Sequence, residues 1–251
     1  MDKNINNDHA LNQFNKDEIT ISKYKRFDTR SRQLNVPERL LIDFYGLHKK
    51  KILVVGGGTG RLAANLLLFG NKVLSIDYSK EFISEANEIY PKSDFNNIEF
   101  ECMDGRNLDE LYTGNFDVVI SPMNTIDYAP CFEDRECMLI NMYKCLKVGG
   151  IFAFASRQIG AYTFSPKLSI KAKSIKNIFV KDIVKRTEYV TPISDVFMST
   201  EKFTLNYMQN LLDLKQPKIF CDKRGIIDSI MSKNRFLRKI WYPYLMYAFT
   251  K

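Results

Sequence analysis

Three glycines at alternate positions, Gly56, Gly58 and Gly60, follow the apolar run Ile52-Leu-Val-Val55 and precede Leu62 to Phe69. Glycine at such a strand-to-helix turn lets the backbone bend tightly and approach a ligand whose negative end faces the helix N-terminus. A dinucleotide fingerprint, GxGxxG counted from Gly56, needs glycine where this chain has Arg61. The pattern present is GxGxG. Asp77 stands 17 residues beyond Gly60, at the end of the next apolar run, where a carboxylate can accept hydrogen bonds from both hydroxyls of a ribose. Asp104, in Glu101-Cys-Met-Asp-Gly-Arg106, follows a third such run and can accept from an adenine amino group. Glycines and two carboxylates, each at a strand end, describe a cradle for an adenosine-bearing cofactor.

The elements that must position these residues alternate. Val36 to Tyr45 reads as a helix with Pro37 in its first turn and Leu40, Leu41, Phe44 and Tyr45 on one face. Strands follow at Lys51–Val55, Lys72–Ile76, Asn97–Cys102, Phe116–Ile120 and Ile151–Ala155, the last entered by a turn at Gly149-Gly150. Helices are expected at Leu62–Phe69, Lys80–Glu88 and Glu133–Leu146. Strand, helix, strand, repeated, means a parallel sheet wound on both faces. Residues 1–20 are polar and read as a mobile tail, leaving 21–251 as one domain with its cofactor core at 50–155 and an insert at about 160–200. Within that insert, Ile175, Phe179 and Ile183 suit an amphipathic helix over Ile170–Arg186; a capped helix at Ser199–Leu212 and a strand at Trp241–Thr250 complete the reading.

Around these motifs the chain resembles the class I S-adenosylmethionine-dependent methyltransferases, of the small-molecule type. The resemblance spans roughly residues 50–155: the Gly56–Gly60 loop, Asp77 with Tyr78, Asp104 with Gly105, the strand Phe116-Asp-Val-Val-Ile120, and Leu146-Lys-Val-Gly-Gly150. It implies a Rossmann-like, doubly wound α/β fold with a mostly parallel seven-stranded sheet and, here, a basic helical insert after the fifth strand. It implies S-adenosylmethionine as cofactor. Gly56, Gly58 and Gly60 would lie against its methionine part and ribose, Asp77 would hold the ribose hydroxyls, and Tyr78 would pack on the adenine or ribose. Asp104 and the Gly105 amide would read the adenine edge, and Ser121 and Pro122 would approach the sulfonium. Tyr24, with Arg26 and Phe27, stands where related enzymes fold a segment over the cofactor. Two departures stand out: Val54 where the family commonly carries an acidic residue, and Lys-Val-Gly-Gly in place of Lys-Pro-Gly-Gly.

A sulfonium is already an activated methyl donor, so positioning, desolvation and removal of the acceptor's proton remain for the protein. Histidine is the usual base. His9 lies in the tail and His48 just before the first strand, at the wrong end of the sheet. The loop Ser121-Pro-Met-Asn-Thr-Ile-Asp-Tyr128 is better placed: Asp127 can serve as base, with Asn124 and Tyr128 orienting an acceptor. The other reading makes Asp127 and Asn124 turn and capping residues. Arg157, with Gln158 and Tyr162, flanks the acceptor side. No Asp, Glu and His cluster suggests a metal, so transfer is expected to be metal-independent.

Charge is uneven: residues 161–251 carry 17 Lys and Arg against 7 Asp and Glu, whereas the first 160 are nearly balanced. Seven basic residues between Lys167 and Arg186 can face an anion. The expected acceptor is a small polar, anionic metabolite, a sugar or glycan precursor among the options, methylated on oxygen or nitrogen. An RNA methyltransferase and a non-catalytic cofactor-binding module are the alternatives; sparse aromatics beside the lysines weigh against nucleic acid. Five cysteines without a CxxC pair, no apolar span of membrane length and a polar start point to the cytoplasm.

Overall fold

The computed structural model describes residues 33–108, 112–158, 183–187, 195–222, 233, 234, 242 and 244–251. The expected tail over 1–20, Tyr24, Arg26, Phe27 and Tyr162 lie outside them, as does most of the basic segment after residue 158.

Helix α1 (Val36–Tyr45) opens on a reciprocal cap, Asn35 accepting from the Glu38 amide while Glu38 accepts from the Asn35 amide, and closes at Gly46 in the left-handed region. Then come β1 (Lys51–Val55), α2 (Arg61–Leu67), β2 (Lys72–Asp77), α3 (Lys80–Ile89), β3 (Ile98–Cys102), β4 (Phe116–Ser121), α4 (Phe132–Lys144) and β5 (Leu146–Arg157). Further along the chain come β6 (Ile183–Thr187), β7 (Asp195–Ser199), α5 (Glu201–Leu212), β8 (Lys218–Phe220) and β9 (Tyr244–Thr250). Short 3-10 turns at Gly105–Asn107 and Thr125–Tyr128 follow β3 and β4.

Seven strands form one sheet in the order β3-β2-β1-β4-β5-β9-β8, with β1 to β5 parallel and β9 antiparallel to both of its neighbours. Side chains alternate between two apolar layers. Leu53, Val55, Ile76, Val119, Phe152, Phe154 and Tyr247 pack toward α4 and α5; Ile52, Val54, Val73, Val118, Ile120, Ala153 and Met246 pack toward α1 and α2. The chain order reverses at β1, which pairs with β2 on one side and β4 on the other. A ligand crevice opens beyond the strand ends at such a switch point.

Two expectations need correction. Gly149-Gly150 is not a turn ahead of the fifth strand: β5 begins at Leu146 and runs through both glycines, with its register to β4 broken between Phe116 and Val118. The irregularity needs a bare backbone, since a Cβ on Gly150 would stand 2.9 Å from the Lys147 carbonyl oxygen and 3.0 Å from that of Asp117. The helix expected to reach Arg186 also gives way to β6, paired antiparallel with β7. Ile183, Val184 and Thr187 are β-branched and favour a pleated strand over a helical turn. The described part of the insert is thus an antiparallel strand pair, and α5 starts after it, with Thr200 accepting from the Phe203 amide as cap.

Candidate active site

A cleft lies beyond the C-terminal ends of the central strands, where ligands of open α/β sheets bind. Its first wall is backbone. The amides of Gly56 and Gly57 both donate to the Ile76 carbonyl, at 2.9 and 3.0 Å, so the glycine loop continues the pairing of β1 with β2. Gly56 presses against the Thr125 side chain, where no Cβ fits. Gly58 has φ +56° and nothing within 4 Å of where a Cβ would stand, which leaves open space at the cleft wall. Gly60 behaves differently. It is buried, it does not line the cleft, and a Cβ on it would meet the Phe100 ring at 2.8 Å.

Asp77 closes the loop from β2. One carboxylate oxygen accepts from the Gly58 amide at 2.8 Å and the other from the Ser79 amide at 3.0 Å. Burial raises its pKa above the ordinary value, and these amides with that of Tyr78 work against the rise. Asp104 caps the 3-10 turn after β3, accepting from the Arg106 amide at 2.8 Å. Its second oxygen accepts from the Arg106 guanidinium at 2.9 and 2.6 Å, and Arg106 reaches on to Asp134 of α4 at 3.3 Å. Between the two carboxylates the wall is apolar, with Phe82, Met103 and Met138. Gly105 allows Val55 and Met138 to close in, a Cβ there standing 3.0 and 3.2 Å from them.

A family model described as a methyltransferase domain matches residues 48–236. The chain belongs to the methyltransferase domain family. Its cofactor is S-adenosylmethionine, and the cleft fits that molecule: space at Gly58, a desolvated acceptor at Asp77 for hydroxyl donors, and an apolar slot ending at Asp104. Among similar proteins, the ubiquinone biosynthesis O-methyltransferase of Chromobacterium violaceum is 28% identical over 161 residues, 59% of this chain and 67% of that protein. The 1,6-didemethyltoxoflavin N1-methyltransferase of Burkholderia thailandensis, solved with 1,6-didemethyltoxoflavin and S-adenosylhomocysteine, superposes with a TM-score of 0.57 at 14% identity, covering 86% of this chain and 76% of that one. An S-adenosylmethionine-dependent methyltransferase from Mesorhizobium loti gives 0.60 at 16% identity over 86% and 98%. The two structures share the fold.

The second wall of this methyltransferase is made of side chains. Ser121, the last residue of β4, and Pro122 are buried beneath the cleft rather than on its lining. Met123 and Asn124 both have positive φ, 50° and 63°, a conformation non-glycine residues seldom adopt outside constrained sites. That twist turns Met123 into the cleft, and the 3-10 turn that follows presents Thr125 and Tyr128 beside it. Asn124 caps this turn by backbone position only and is buried. Asp127 is fully buried and does not line the cleft. It accepts from the Ser156 hydroxyl at 3.0 Å and the Arg157 amide at 2.7 Å, with Arg135 at 3.8 Å and the Arg157 guanidinium at 4.0 Å. Burial pushes its carboxyl up to about 6 against the pull of both guanidiniums.

The structure therefore brings Gly56, Gly58, Asp77, Tyr78, Asp104, Gly105 and Tyr128 together around one cleft. It leaves Gly60, Ser121, Pro122, Asn124 and Asp127 behind its wall, and Arg157 touches the cleft through Tyr128. Asp127 is the sharpest departure: a base must reach the acceptor, and this carboxylate is enclosed. His48 is exposed at the opposite end of the sheet, edge-on to Phe69. Sequence reasoning missed Arg106, although a cation two residues after Asp104 was a signal for a local ion pair. It also missed Phe82, Met123 and Thr125, which carry no spacing signal of their own.

Proposed function

We propose that this methyltransferase methylates an oxygen or nitrogen of a small acceptor bound against Met123, Thr125 and Tyr128. The observation that carries the reading is the Tyr128–Arg157 pair. The Arg157 guanidinium donates to the Tyr128 hydroxyl at 2.8 Å and lies 4.8 Å from its ring centre, so a polar group backed by positive charge sits in an otherwise apolar wall. Such a wall suits an acceptor with an aromatic body and an acidic O–H or N–H better than a sugar precursor. An anionic acceptor also agrees with the basic last third of the chain.

When bound, S-adenosylmethionine supplies a methyl group that needs no further activation. The glycine loop and Asp77 hold the donor's ribose end, the apolar slot excludes water, and Tyr128 orients the acceptor's nucleophilic atom toward the loop. The ubiquinone-pathway relative acts, by name, on oxygen and the toxoflavin enzyme on nitrogen, and the reading leaves both atoms within the same geometry. Five cysteines, none in a disulfide among the described residues, support a reducing, cytoplasmic setting. No described helix is long and apolar enough to cross a membrane.

The test is a methyl-transfer panel of catechols, hydroxybenzoates and N-heterocycles with radiolabelled donor. For the best acceptor, Tyr128→Phe should lower kcat/KM by about tenfold, the scale of one hydrogen bond beside a charge. S-adenosylhomocysteine affinity should stay within about twofold. Unchanged acceptor kinetics in that variant would place the acceptor elsewhere.

A further inference from the structure

A cluster of buried side chains ties the cleft wall at Tyr128 to the protein interior. It joins three elements: Asp127 and Tyr128 from the 3-10 turn, Ser156 and Arg157 from the end of β5, and Arg135 from α4. We propose that Asp127 is a positioning residue which, through Arg157, fixes the Tyr128 hydroxyl in the acceptor wall. The proposal rests on the reading that the acceptor meets Tyr128.

Asp127 and Tyr128 are neighbours in sequence but face opposite ways, one into the protein and one into the cleft. Arg157 spans them. Its backbone amide is held by one Asp127 oxygen at 2.7 Å, and its guanidinium stands 4.0 Å from that same oxygen. The far side of the fork donates to Tyr128 at 2.8 Å. The guanidinium is planar, so its orientation toward Tyr128 follows from the backbone anchor at the Arg157 amide and from the charge attraction of Asp127 at 4.0 Å, a distance beyond hydrogen bonding. Arg135 steadies the opposite oxygen at 3.8 Å, with its own guanidinium 5.4 Å from the Tyr207 ring centre. Stability alone is a weak reason for this arrangement. Buried ion pairs contribute little compared with well-packed apolar residues of similar volume, and here one carboxylate serves two cations. The part that gains from it is the one hydroxyl delivered to the cleft.

The experiment labels the full chain with tyrosine carrying carbon-13 at Cζ and assigns the Tyr128 signal by its loss in Tyr128→Phe. No acceptor is required. Asp127→Asn and Arg157→Lys should each displace the Tyr128 signal, and the double variant should displace it no further than Arg157→Lys alone. Calorimetry with S-adenosylhomocysteine should give a Kd within twofold of the parent for each variant, showing that the cofactor wall is intact. A Tyr128 signal that stays put in folded Asp127→Asn, or displacements that add in the double variant, would overturn the relay. If Asp127→Asn does not fold, Arg157→Gln tests the outer link alone: the signal must move, and an unmoved one overturns the proposal. Failure here is separate from failure of the acceptor reading, which shows only in the Tyr128→Phe kinetics.

Discussion

The two walls of the cleft are built by different means. The wall on β1, β2 and β3 uses backbone amides, bare glycines and carboxylates that bond within a few residues or to the next strand end. The wall on β4 and β5 uses side chains that find each other across 29 or 30 residues, as Ser156, Arg157 and Asp127 do. In the proposed function the first holds the cofactor, and its glycines at 56 and 105 leave little room for a side chain. In the proposed function the second faces the acceptor, and it depends on contacts between distant stretches of chain.

The largest effect should come from just outside the first wall. Arg61 and Glu38 form a buried ion pair at 2.7 Å, so Arg61→Ala strands a carboxylate and should cost about 3–5 kcal/mol in denaturant unfolding. A cost under about 1 kcal/mol would show that water reaches Glu38. Next, Asp77→Ala should weaken S-adenosylhomocysteine binding by about 2–3 kcal/mol, the scale of hydrogen bonds to a charge, while substitutions at Arg157 leave it nearly unchanged. Equal losses in calorimetry would erase the contrast between the walls.

A pH series sharpens the comparison from the other side. Asp127 has a folded-state pKa raised to about 6, so its contribution to stability is full below its unfolded value near 4 and is lost as pH rises through 6. The unfolding free energy of the parent minus that of Asp127→Asn should therefore fall by about 2–3 kcal/mol from pH 4 to pH 7. A flat difference would mean the carboxylate ionises as freely as in the unfolded chain. The smallest effect concerns Gly60→Ala. It should cost about 1–3 kcal/mol of stability, because φ is +90° and Phe100 blocks the added methyl, yet leave cofactor affinity in place. Affinity lost without stability would return Gly60 to the ligand.

The same division decided what could be read in advance. Val36–Tyr45 and Lys51–Val55 follow from caps, glycines and apolar runs that act within a few residues, and both ranges stand as expected. Gly56, Gly58, Asp77 and Asp104 were legible as neighbours in one cleft because tight turns at strand ends restrict residue type locally. Asp127 looked like an accessible base because its loop was rightly placed at a strand end; its burial depends on Arg135 and Arg157, whose approach no local spacing encodes. The glycine pair at 149 and 150 misled for a related reason. Locally it signals a turn, and only the partner strand β4 makes it a bulge.

Glu38 has a wider consequence. One of its carboxylate oxygens accepts both the Asn35 amide, at 2.9 Å, and the Arg61 guanidinium, at 2.8 Å. The bond that starts helix α1 and the bond that ties α1 to the residue after the glycine loop thus share an atom, and Arg61 also grips the Gln33 carbonyl at 3.0 Å. Fraying of α1 from its N-terminus and loosening of the loop become a single event, with one opening free energy where two adjoining helices would otherwise have two. A ligand that clamps the loop will slow amide exchange in the first turn of α1, a place it does not touch.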